Sequence, residues 1–179
     1  MSYVDLININ DTTPDRQAVL AQIKAAFGVV PNMFKAVANS PAALNSMWGS
    51  FGALGAGVIG AQLGEQIAVA VANRNQCEYC LAAHTVLGQK AGASAEEMAA
   101  AQIGESNDPK TSVALTFALK LVENRGQILP SDVEHLRMIG FDDEHIVEIL
   151  AHVALNLFTN YVNVAFAVPV DFPKVKLIG

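Results

Sequence analysis

The 179 residues include only two cysteines and one tryptophan, and charged side chains make up just 16% of the chain. Each scarcity excludes something. Two thiols cannot build the multi-bridge framework of a small secreted domain. Lys and Arg number 11 against 17 Asp and Glu, for a net charge of −6, and they form no cluster. A nucleic-acid surface needs cations to neutralise phosphates, so no nucleic-acid partner is expected. Alternating apolar and polar residues are scarce and no βαβ pattern is visible, which argues against a thioredoxin-like sheet. The N-terminal Met1-Ser2-Tyr3-Val4-Asp5 has neither the basic flank nor the apolar core of a secretory leader, so a cytoplasmic location is expected.

The longest gap is in charge. No Asp, Glu, Lys or Arg occurs from Ala36 to Gly64. A stretch of that length raises the question of a membrane span. It carries Asn39, Ser40, Pro41, Asn45, Ser46 and Gln62 among many Gly and Ala, and it is too weakly apolar for one. It reads as a buried packing helix, with Gly49, Gly52, Gly55 and Gly60 letting another backbone approach. The chain as a whole is 52% hydrophobic, a surplus for a soluble monomer. Part of that surplus is expected at a subunit interface. The length suits one domain over residues 1–179 with a sizeable core.

The punctuation is helical. Thr13-Pro14-Asp15 reads as a helix start, with Thr13 as N-cap and Pro14 at the first position, and Gly28 as its end. A short helix is expected after Pro31, and another from Ser40-Pro41 carrying Leu44, Met47, Trp48 and Phe51. Gly64 precedes an apolar segment from Glu65 to Ala72, and Asn73 to Gln76 reads as a break. A helix is expected from Cys77 to about Lys90. Ser94 with Glu97, and Ser131 with Glu134, have capping-box spacing. Later helices are expected over Pro109 to Asn124, Ser131 to Met138 and Asp142 to Phe166. A faint internal repeat sets Gly60 to Ile67 against Gly140 to Ile146. On that shift of 79 positions, Cys77, Cys80 and His84 fall on Asn156, Thr159 and Asn163.

The chemistry centres on residues 60–93. Both cysteines lie in Cys77-Glu78-Tyr79-Cys80, and His84 follows one helical turn after Cys80. Glu65 lies twelve residues before Cys77. On one unbroken helix that separation is ~18 Å, too far for side chains to cooperate. The break at Asn73 to Gln76 must therefore turn the second helix back across the first. Thiols in a first turn meet unpaired N–H groups and the positive end of the helix dipole, which favour the thiolate. His84 can take or return a proton, and Glu65 can orient it. A thiolate attacking a hydroperoxide becomes a sulfenic acid, which the neighbouring thiol condenses to a disulfide. An outside dithiol must then reset the pair.

Other readings use the same residues. Cys77, Cys80, His84 and Glu65 could hold zinc, although the second Cys/His pair of a structural site is absent. Glu65 and His84 alone could run acid–base lyase chemistry. His135, His145 and His152 suggest no set, although His145 and His152 share a helix face. Phe27, Met47, Trp48 and Phe51 read as core packing, with a substrate pocket as the alternative.

The run from Glu65-Gln66-Ile67 through Asn73, Asn75, Cys77, Tyr79 and Cys80 to His84 resembles the signature of AhpD-like alkylhydroperoxidases, in the carboxymuconolactone decarboxylase superfamily. Val30-Pro31-Asn32-Met33-Phe34 and Ser40-Pro41 resemble its peroxidase-related branch. The likeness is best from Phe27 to Ala93. It implies an all-α, AhpD-like helical bundle assembled as a homotrimer or homohexamer. It also implies a peroxidase without cofactor or metal, reset by an external dithiol of lipoyl type. Cys80 is then the peroxide-attacking thiol, Cys77 the resolving thiol, and Glu65 and His84 the proton relay. Helix geometry alone leaves the order of the two thiols open. Studied members carry a further histidine just before the second cysteine. Here that residue is Tyr79, so the relay is one member short. Decarboxylase members generally lack the cysteine pair. A decarboxylase-like lyase and a non-catalytic redox-sensing or zinc-binding oligomer are the competing expectations.

Overall fold

The computed structural model describes residues 2–178. Among them the chain forms nine helices and no strand: α1 (Pro14–Phe27), α2 (Asn32–Val37), α3 (Pro41–Gly55), α4 (Ala61–Arg74), α5 (Glu78–Lys90), α6 (Ala95–Gln102), α7 (Pro109–Glu123), α8 (Pro130–Met138) and α9 (Asp143–Ala165). The all-α expectation is met, and no helix is long and apolar enough to cross a membrane among the described residues.

Helix α4 is the hub, packed against α5, α6, α7 and α9. Every residue from Gln66 to Ala72 is buried. A helix apolar on all sides must be wrapped on all sides. Its Ala-Val-Ala-Val-Ala run keeps the side chains short, so four helices approach closely. Around it Leu81, Met98, Leu115 and Ile149 are fully buried. Removing a side chain of that kind from water contributes roughly 1.5–3 kcal/mol.

Most helix boundaries fall where the sequence puts them. Gly28 closes α1 in the left-handed region at φ 81°. Ser40 caps α3 by accepting the Ala43 N–H at 3.2 Å, and Ser94 and Glu97 form the expected capping box. Four details differ. Thr13 does not cap α1, because its hydroxyl donates to the Asp15 carboxylate instead. The Ser131–Glu134 box does not form. Pro130 is already set at a helical φ and starts α8 one residue earlier, and the Asp132 carboxylate accepts the Leu129 N–H at 2.8 Å. Helix α4 begins at Ala61, one turn before Glu65. Helix α3 is buried only along Leu44 and Met47, and Gly49, Gly52 and Gly55 face open space.

The residue shift behind the suspected repeat sets the broken α4–α5 segment against α9, which runs 23 residues without interruption. On that shift the start of α4 falls on Gly140, three residues before α9 begins, and the reversal has no counterpart. Helix α9 is two-faced. Its inner face buries Ile149, Val153, Asn156, Asn160 and Asn163, and its outer face exposes Val147, Leu150, Phe158 and Tyr161.

The segment after α9 runs back across the molecule as a strap. Asn73 holds its end, donating to the Ile178 carbonyl and accepting the Ile178 N–H, each at 3.0 Å. Its middle is tied to the start of α5. Phe172 packs edge-on against Tyr79 with ring centroids 5.7 Å apart. Asp171 accepts the Asn32 N–H at 2.8 Å. The buried Tyr79 hydroxyl accepts the Met33 N–H at 3.1 Å. Burial, and then the adjoining Asp171 carboxylate, push the Tyr79 phenol well above its usual range. Tyr79 therefore joins α2, α5 and the strap. Replacing it with Phe leaves the buried Met33 N–H without its acceptor, a cost of about 1–3 kcal/mol. Urea denaturation of Tyr79→Phe should show that loss as a lower midpoint at unchanged slope.

Candidate active site

The reversal between α4 and α5 takes three residues. Asn75 ends α4, Gln76 turns the chain at φ 55°, and Cys77 is the N-cap of α5. Cys77 caps with its sulfur, which accepts the Cys80 N–H at 3.3 Å. The first turn of α5 thus holds both thiols together, Cys77 at its cap and Cys80 at its third position.

Antiparallel packing then brings Glu65 beside α5. Gly88 makes the approach possible: a Cβ there would lie 3.3 Å from the Glu65 Cβ and 2.4 Å from the Met98 Cε. His84 Nδ1 lies 2.7 Å from Glu65 Oε2. The histidine is buried, while the carboxylate is half-buried. Burial alone would lower the His84 pKa. The Glu65 charge, its hydrogen bond and the nearby Cys80 outweigh burial and raise it, so His84 is inclined to carry a proton. All four residues that the sequence singled out share one site.

Cys80 is buried with its sulfur in a polar setting. Asn163 of α9 donates to Cys80 Sγ at 3.2 Å. Burial would push this thiol up. The Cys77 thiol, the His84 charge and the amides of Asn163 and Asn160 more than offset it and bring the Cys80 pKa down to about 7. Cys77 goes the opposite way, raised first by its interaction with Cys80 and then by burial. One thiol of the pair is therefore readily ionised near neutral pH while its neighbour keeps its proton.

Two cavities meet at His84. A narrow cleft of about 30 Å³ reaches Cys80 and is walled by Phe27, Phe34, Phe51, Tyr79 and Phe172. Phe34 is the centre of that aromatic cluster, 5.8 Å from both Trp48 and Phe51. Met47 is pure core, whereas Phe27 and Phe51 serve core and cleft together. The second cavity, about 140 Å³, is lined by Glu65, His84, His152 and Asn156. His84 and Phe51 line both.

Three side chains of this site were not marked by the sequence. Asn160 and Asn163 lie on α9, some eighty positions from Cys80, and nothing local to them signals a sulfur partner. The repeat alignment paired Asn163 with His84, and in space it meets Cys80 instead. His152 had only a helix-face relationship to His145. It sits against Gly64, with its Cε1 3.1 Å from where a Cβ would be. Burial lowers its pKa, against the pull of Glu148 and Glu65. His145 instead bonds Asp142 at the start of α9, with 2.6 Å between Nδ1 and Oδ1. For the zinc alternative, no three His, Cys, Asp or Glu side chains converge as a metal-ligand set among the described residues.

The carboxymuconolactone decarboxylase family model matches residues 41–124, the span from α3 to the end of α7 that contains Glu65, both cysteines and His84. The chain is similar to an uncharacterized peroxidase-related protein from Silicibacter sp. TM1040, with 28% identity and TM-score 0.82 over 97% of this chain and 92% of that one. An alkylhydroperoxidase AhpD core, an uncharacterized peroxidase-related protein from Ralstonia eutropha JMP134, superposes with TM-score 0.85 at 23% identity, covering 95% and 92% of the two chains. The debrominase Bmp8, in complex with 2,3,4-tribromopyrrole, shares the fold at TM-score 0.81 and 19% identity, covering 96% and 92%. No curated protein matches. Residues 41–124, which hold Glu65, Cys77, Cys80 and His84, are thus similar to the carboxymuconolactone decarboxylase family, and the chain shares its fold with these AhpD-core and peroxidase-related proteins.

Proposed function

We propose that the protein is a thiol peroxidase that reduces organic hydroperoxides through its Cys77/Cys80 pair. The observation that carries this reading is geometric: two thiols share the first turn of α5, Cys80 receives the Asn163 amide and lines an aromatic cleft, and His84 beside it is held by Glu65. The Cys80 thiolate attacks the terminal peroxide oxygen. The O–O bond breaks, Cys80 becomes a sulfenic acid, and the alkoxide takes a proton from His84 to leave as an alcohol. Cys77 then attacks the sulfenic sulfur, the disulfide closes, and the hydroxide leaves with a proton as water. Glu65 holds His84 through Nδ1 and keeps the imidazolium favourable. A cleft of about 30 Å³ takes the –OOH end and leaves the organic part against the phenylalanine rim. An external dithiol returns two electrons. The exposed apolar stripe on α9 and the open glycine face of α3 support assembly as a homotrimer or homohexamer.

A second reading has its own support. Glu65, His84 and His152 face the 140 Å³ cavity, which neither sulfur lines. That is a fitting place for acid–base chemistry on a lactone or a related acid.

Incubating the reduced protein with one equivalent of an organic hydroperoxide should remove two hydrogens from the peptide carrying both cysteines, read by mass spectrometry. Cys80→Ser should abolish peroxide consumption, and Cys77→Ser should stop at sulfenic acid or an intermolecular disulfide. Full turnover by Cys80→Ser would sink the reading. The two readings separate on alkylation: blocking both thiols ends peroxidase turnover, whereas lyase turnover persists. Finally, the rate of Cys80 alkylation by iodoacetamide should rise with pH through a midpoint of about 7. Asn163→Leu removes a donor to the thiolate, so the midpoint should move up toward the ordinary 9.0, and alkylation at pH 7 should slow severalfold.

A further inference from the structure

We propose that the Cys77–Cys80 disulfide is reopened through a separate entrance, a cavity beside Cys77, where a slender dithiol attacks the Cys77 sulfur and forms a mixed disulfide with it. This rests on the dithiol cycle proposed above.

Both cysteines are buried, and they line different spaces. Cys80 lines the aromatic cleft and Cys77 does not. Cys77 lines a wider opening of about 390 Å³, walled by Gln76, Glu78, Asn163, Val168 and Pro169, which Cys80 does not line. Tyr79 borders both and is the partition between them. Its links to Met33, Asp171 and Phe172 hold that partition in place.

The chemistry of exchange selects the same sulfur. A thiolate attacks one sulfur and expels the other, and the thiol of lower pKa leaves faster. Attack on Cys77 expels Cys80, whose thiolate is received by Asn163, Asn160 and His84. Attack on Cys80 would expel Cys77, whose thiol is raised instead. Displacement at sulfur is in line, so the attacker must approach Cys77 from the side away from Cys80. The wide opening borders Cys77 and not Cys80, whereas the aromatic cleft leads to Cys80 alone.

The electron count closes with one dithiol. Its first thiolate bonds to Cys77 Sγ, the Cys77–Cys80 bond breaks, and its electron pair stays on Cys80. The second thiol of the reductant loses its proton and attacks the reductant sulfur of the mixed disulfide. Cys77 leaves, takes up a proton, and the reductant departs as a cyclic disulfide, two electrons poorer. A pocket of this size admits a small dithiol such as dithiothreitol.

The test closes the disulfide with diamide rather than with peroxide. The desalted protein is then treated with glutathione, a monothiol that cannot complete the second step. After an acid quench, fragment-ion mass spectrometry should place glutathione on Cys77. Pro169→Trp crowds the opening while keeping the backbone carbonyl that Asn32 uses. It should slow dithiothreitol reduction of the diamide-made bond at least tenfold. Glutathione on Cys80, or reduction of Pro169→Trp at the parental rate, would overturn the proposal. So would a folded dithiol protein that reduces parent and variant equally fast. The adduct position needs no variant, so a poorly folded Pro169→Trp does not rescue the idea. Because diamide makes the bond, failure to consume hydroperoxide counts against the proposed function, and the adduct position counts against the entrance.

Discussion

The site exists because α5 folds back on α4. Without the turn at Asn75, Gln76 and Cys77, Glu65 and His84 would lie far apart along one rod. With it they lie 2.7 Å apart across nineteen residues of sequence. Two local features make the turn possible. Gln76 accepts a left-handed backbone, and Cys77 replaces the usual oxygen cap with sulfur. A third feature lies at the other end of the pair, where Gly88 removes the side chain that would hold α5 away from Glu65. In the proposed cycle the cap is therefore part of the chemistry. The residue that satisfies an orphan N–H of α5 is the same thiol that stands beside Cys80.

A buried thiolate is an electrostatic problem that the helix end alone does not solve. Desolvation is the largest single influence on Cys80, and it opposes ionisation. What reverses it comes from three elements: Cys77 in the turn, His84 one helical turn along α5, and two asparagine amides from α9. The long uninterrupted run of α9 matters here. It places Asn160 and Asn163 on its inner face, at the spacing of one turn, against the start of α5. Asn160 also accepts from Asn75 at 2.9 Å, which ties the thiol environment to the turn itself.

Much of this was legible in the sequence because it is local. Helix starts and stops depend on a few neighbouring residues, and Ser40, Ser94 and Gly28 act where they stand. The Cys-x-x-Cys spacing and the histidine a turn later are likewise local. The meeting of Glu65 and His84 was legible only as a condition, that the break must reverse the chain. Asn160, Asn163 and His152 were not legible, because their function depends on how α9 packs. An asparagine or histidine inside an amphipathic helix looks the same whether it meets sulfur or solvent. Capping at Thr13 and Ser131 failed although the spacing was right: the Thr13 hydroxyl turns to Asp15, and α8 starts at Pro130, which places Ser131 inside the helix.

Tyr79 shows how a departure from the pattern that the sequence resembles can be absorbed. Its hydroxyl is engaged by Met33 and Asp171, and its phenol is held protonated by burial and by that carboxylate. It cannot exchange protons with the thiols. Among the side chains lining the aromatic cleft, His84 is then the one base that works near neutral pH. In the proposed cycle, protons must therefore cross His84 to Glu65 and enter the 140 Å³ cavity that His152 shares. On that proposal oxidant and protons reach His84 through two different cavities, and Tyr79 adds no competing base on the thiol side.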